Sequence, residues 1–82
     1  MEKKPIGEVL HYYDHIGVAV VKFNQEVEVG ETINFKGAHT DFSQIIGSIQ
    51  YEHENIKSAK KGQDVGIKVD EKVKEGDRVY EV

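Results

Sequence analysis

Apolar and polar residues alternate along most of this chain with a period of two, the repeat of an extended strand with one buried face. Six runs carry that signal: Ile6 to Tyr13, Ile16 to Phe23, Thr32 to Lys36, Phe42 to about Tyr51, Val65 to Val69, and Arg78 to Val82. The first two are separated only by Asp14-His15, which predicts a hairpin. In the second run Ile16, Val18 and Val20 fall on one face and Ala19, Val21 and Phe23 on the other, so both faces are at least partly covered. The adjacent pair Ile45-Ile46 spoils the alternation of the fourth run. If the segment is extended, Ile45, Ile49 and Tyr51 lie on one face, and a bulge near Ile46 or Gly47 would repair the register and add the curvature a closing sheet needs. His53 to Ser58 is polar and too short for a helix.

A local pattern occurs three times, as Val27-x-x-Gly30-Glu31-x-Ile33, Ala59-x-x-Gly62-Gln63-x-Val65 and Val73-x-x-Gly76-Asp77-x-Val79. Each copy joins an apolar anchor, a glycine able to take positive φ, and a β-branched residue that opens a strand. The copies share no common period, which marks repeated turn chemistry and not a duplicated domain. Short strands joined by glycine turns, with no helical period, predict a small closed barrel; a sandwich of two sheets is the alternative.

Eighty-two residues make a single domain, 1–82, whose core must be small. Without cysteine there is no disulfide framework and no thiolate metal site. No run approaches a membrane span, and Met1 to Pro5 leads into a strand pattern and not into the apolar centre of a signal peptide, so a soluble cytoplasmic protein is expected. The net charge is −4, which excludes a large non-specific grip on nucleic acid. It is unevenly spread: residues 1–55 hold 4 lysines against 9 acids, and 56–82 hold 7 basic residues against 6 acids. The only basic surface the sequence offers therefore lies late in the chain.

Catalytic chemistry finds little to work with. Ser43, Ser48 and Ser58 sit in no nucleophile elbow, and Asp70-Glu71 belongs to a lysine-rich connection. His11 and His15 have helical ligand spacing, but in a strand they would lie about 13 Å apart, so they read as solvated hairpin residues. No glycine-rich phosphate loop is present, and neither nucleotide, metal nor other cofactor is expected. Lys57, Lys60, Lys61 and Lys68, with Tyr51 and His53 nearby in sequence, form the one candidate binding edge, where lysines would meet phosphates and rings would stack on bases. The alternative is that these lysines are solvated charges guarding a strand edge. Tyr12 and Tyr13, being adjacent, face opposite sides of the first strand, one inward and one free for a partner.

The ordered set Ile16 to Val20, Val29 to Ile33, Ser48-Ile49-Gln50, Ala59 to Ile67 and Glu75 to Val79 resembles the β-barrel second domain of translational GTPases such as elongation factor Tu. A similar module closes the C-terminus of some collagenase-like bacterial peptidases. The resemblance implies an all-β, closed six-stranded Greek-key barrel of the translation-factor type. By position, the family's adenosine-pocket glutamate falls at Gln50, where a glutamine has lost the charge. Two functions follow. In the first, the chain is a non-enzymatic module that contacts transfer RNA, ribosomal RNA or a ribosome-associated partner through Gln50, Tyr51, Lys57, Lys60, Lys61 and Lys68. In the second, it is a protein-interaction accessory of a separately encoded enzyme, using edge strands or Tyr12 and Tyr13.

Overall fold

Ten strands and no helix form the computed structural model, which describes residues 4–82. They are β1 (Gly7–Tyr13), β2 (Val18–Phe23), β3 (Val27–Glu28), β4 (Thr32–Lys36), β5 (Asp41–Ile45), β6 (Ile49–Tyr51), β7 (Glu54–Ile56), β8 (Ser58–Ala59), β9 (Asp64–Lys68) and β10 (Arg78–Glu81). Eight of them make one sheet in the order β5-β4-β10-β1-β2-β9-β6-β7, and β3 pairs with β8 in a separate ribbon. The all-β expectation holds. The closed six-stranded barrel does not, because β5 and β7 end the sheet without pairing to each other, and the sheet curls instead into an open half-barrel.

The difference from six strands has local causes. The expected run from Phe42 to Tyr51 is two strands. Ile46 stays with β4 by donating to Glu31 O and accepting from Gly30 N, and the chain then crosses at Gly47-Ser48 to pair Ile49 and Gln50 with β9. Ile46, not Ile45, therefore takes the core position beside Ile49, and Ile45 is left 64% exposed on β5. Past Tyr51 the chain reverses at once. Glu52 and His53 take φ of 51° and 67°, the two positive values of a two-residue hairpin turn, and they return the chain as β7. Neither residue is a glycine or asparagine, so nothing in the sequence announces this turn.

Among the described residues the one register shift lies elsewhere, between Val9 and His11 where β1 pairs with β2. Leu10 is squeezed out of the ladder, so Val9 and Tyr12 both turn inward while Leu10 and Tyr13 remain exposed. The core is a single cluster fed by alternate residues: Val9 of β1, Ala19, Val21 and Phe23 of β2, Ile33 and Phe35 of β4, Val65 and Ile67 of β9, and Val79 of β10. Ile16, expected in the second strand, stands outside it at the hairpin tip and is 58% exposed.

The thrice-repeated pattern is the most regular device in the fold. Glu28 to Glu31, Lys60 to Gln63 and Lys74 to Asp77 each close a turn from the fourth N–H to the first carbonyl, at 3.2, 3.1 and 3.0 Å. The third residue of each is glycine with φ near +90°, the geometry of a type II turn. The side chain after the glycine then folds back on the turn's first N–H: Glu31 Oε2 on Glu28 N, Gln63 Oε1 on Lys60 N at 2.8 Å, and Asp77 Oδ2 on Lys74 N at 2.8 Å. The glycine N–H itself donates across the molecule, Gly30 to Ile46 O, Gly62 to Phe23 O and Gly76 to Val9 O, at 2.9 to 3.0 Å. Each turn thus pins a strand distant in sequence, and the third pins the bulge in β1.

Side chains also lace the open side. Gln44, only 6% exposed, reaches from β5 to the segment after β9, donating through Nε2 to Lys68 O and accepting through Oε1 from Asp70 N, both at 2.8 Å. It occupies the place of a strand rung. Asp77, buried at the foot of β10, also accepts from the Thr40 hydroxyl and so ties the loop before β5 to the turn before β10.

Candidate functional site

Gly66 sits in the middle of β9, opposite Val20 of β2 and Gln50 of β6. A Cβ there would lie 3.3 Å from Val18 Cγ1, so the missing side chain hollows the outer face of the sheet. The result is a depression of about 220 Å³ lined by Ile16, Val18, Ser48, Gln50, Gly66 and Lys68. The Lys68 ammonium leans over it and donates to Ile16 O at 3.3 Å. Its chemistry is one amide that both donates and accepts, one hydroxyl, one cation and an apolar wall. Its lining is equipped to hold a polar group of a partner, and it contains no carboxylate pair and no nucleophile next to a base.

Of the six candidate residues, this depression brings together Gln50 and Lys68. Tyr51 is half-buried, with its ring packed against the core cluster. Lys57 lines a different depression with Glu28, Val29 and Ser58, where the glutamate faces the same space as the lysine. Lys61 lines a third, floored by Gly7 and Phe23 and flanked by Glu8 and Lys22. Lys60 is exposed, and only its backbone enters the turn hydrogen bonding. Four of the six are thus divided among three hollows, and Tyr51 and Lys60 line none of these.

The tyrosine pair follows the alternation: Tyr12 packs on the core, and Tyr13 is 49% exposed. His11 has its Nδ1 3.5 Å from Glu75 Oε2 and its ring edge-on to Tyr13, with centroids 4.3 Å apart. His15 lies beside Asp14, so the two histidines take different neighbours. Among the described residues no three or more His, Asp or Glu side chains converge as a metal site would require. No described helix is long and apolar enough to cross a membrane.

Two features had no sequence signal strong enough to find them. One is the strained Glu52-His53 reversal. The other is the outer edge of β5, which became an edge only because the sheet stays open.

No protein-family model matches the chain. Among curated proteins it is 37% identical, over 95% of its length, to an uncharacterized protease of Methanocaldococcus jannaschii. It is 32% identical, over 96% of its length, to a collagenase of Porphyromonas gingivalis. The chain spans only about a fifth of each of those relatives, 19% and 22%. In fold it matches the C-terminal domain of a Geobacillus thermoleovorans protein assigned to the U32 peptidases. Two crystal structures of that domain give TM-scores of 0.90 and 0.89 at 24% identity. The alignments cover 96% and 98% of this chain and 100% and 92% of those chains. These relatives support the likeness to the C-terminal module of collagenase-like peptidases. They lend no support to the likeness to the second domain of elongation factor Tu, nor to the transfer-RNA contact it implied.

Proposed function

We propose that this chain is a non-enzymatic protein-interaction module, an accessory to a larger protein of the peptidase type. The observation that carries this reading is the shape of the similarity. Nearly the whole chain aligns with about a fifth of proteins named as a protease or collagenase, and the matching domain is C-terminal in the Geobacillus protein. A module that forms one small part of larger enzymes there would serve such an enzyme here. The site geometry agrees, since the hollow around Gly66 offers binding groups and no reacting pair.

Affinity purification of the tagged chain from its native cell tests the reading. One stoichiometric protein of the peptidase type in the eluate is expected, and it should survive Lys60→Glu with Lys61→Glu because those charges are exposed and peripheral. Ribosomal or transfer RNA in the eluate, lost on that charge reversal, would overturn it in favour of the RNA-binding surface built from Gln50, Tyr51, Lys57, Lys60, Lys61 and Lys68.

A further inference from the structure

The two ends of the sheet leave different things open. β7 is three residues long, whereas β5 runs for five and contains no Lys, Arg or Pro, the residues that ordinarily guard an edge. Its ladder with β4 decides which groups face out. Gly37 pairs with Thr40 and Glu31 with Ile46 through backbone bonds, so by alternation Phe42 and Gln44 also bond toward β4. The N–H and C=O groups of Asp41, Ser43 and Ile45 therefore point away from the sheet. Among the described residues no backbone group meets them, and Ile45 O has only a long 3.5 Å approach from the Gln44 amide. The strand is also held still: Gln44 anchors it to the 68–70 backbone, and the Phe42 ring stacks on Phe35 with centroids 5.2 Å apart. An edge this rigid presents its hydrogen-bonding row at little entropic cost to whatever pairs with it.

We infer that β5 is a strand-addition site, at which an extended segment of a protein partner joins the sheet beside Asp41 to Ile45. This rests on the protein-interaction reading above. The occupant carries an apolar residue over Ile45, which is 64% exposed, and a Lys or Arg within reach of Asp41, the acid that opens the row. Charge selects a foreign segment over a second copy, because β5 lies in the acidic part of a chain of net charge −4 that would repel itself. Backbone bonds supply the attachment and alternate side chains the selectivity.

The test uses the 15N-labelled chain and an acetylated, amidated heptapeptide, Thr-Val-Lys-Ile-Lys-Val-Thr. Saturable shifts of the Asp41, Ser43 and Ile45 amides are expected in the millimolar range. Ser43→Pro removes an N–H that bonds nothing within the sheet and should weaken binding about tenfold or more. If that variant fails to fold, Ile45→Lys, which adds an edge guard on an exposed position, should do the same. Absent shifts, or shifts confined to the hollow around Gln50 and Lys68, would overturn the proposal. So would the same β5 shifts appearing with protein concentration alone, which would make the occupant a second copy. If the peptide fails while the peptidase-type protein is still captured, the edge assignment falls and the accessory reading stands; loss of capture by the wild-type chain sinks the accessory reading itself.

Discussion

Replacing Gln44 with methionine keeps the length of the side chain and removes both ends of the link between β5 and the segment after β9. Two hydrogen bonds of 2.8 Å are lost, one to Lys68 O and one from Asp70 N. Each is worth about 1 kcal/mol net, and a backbone group left unpaired in a buried place costs about 1–3 kcal/mol. Lys68 and Asp70 are themselves exposed residues, so water recovers part of that loss. The apolar methionine gains a little from burial. The sum comes to about 2 kcal/mol, which for a domain of this size lowers Tm by roughly 8–16 °C. Urea denaturation followed by circular dichroism measures it, with an unchanged m value showing that the unfolded state is not the source. A loss under about 0.5 kcal/mol would mean that the half-barrel holds its curl without this link.

Three further outcomes follow from the backbone. Glu52→Asn with His53→Gly supplies the residues that a turn with two positive φ values prefers, and should raise stability by about 1 kcal/mol in the same denaturation assay. Gly37→Ala should cost about 2 kcal/mol or more, because the new methyl would run into the Asp77 carboxylate, which Thr40 and Lys74 hold in place. Gly62→Ala meets no atom within 4 Å and should cost only the backbone penalty of φ +86°, about 1–2 kcal/mol; a larger loss would show that the turn does more than reverse the chain.

Much of the architecture was legible because the core is built on alternation. Spacing alone puts Ala19, Val21 and Phe23 on one face of the second strand without saying which face is inner, and the structure buries all three. The three glycine turns were legible too, since a β-branched residue two positions after Gly-Glu, Gly-Gln or Gly-Asp fixes where each strand resumes. What escaped was set by partners distant in the chain. Ile45 and Ile46 are chemically alike, and only the bonds of Ile46 to Gly30 and Glu31 decide which of them enters the core. Closure failed for a similar reason, because pattern reports whether a strand has a buried face but not whether its last edge finds a mate. The candidate residues are spread for the same reason: Lys57, Lys61 and Lys68 sit close in sequence, yet the turns between them carry the three into separate hollows.

The glycines of the three matched turns carry one more consequence. Gly30, Gly62 and Gly76 belong to solvent-facing loops, where amide protons ordinarily trade with deuterium within moments. Here each proton is held by a carbonyl of Ile46, Phe23 or Val9, so releasing it means separating segments that the whole core keeps together. Loop positions and interior strands should thus share a single protection factor, and the molecule should come apart as one cooperative unit.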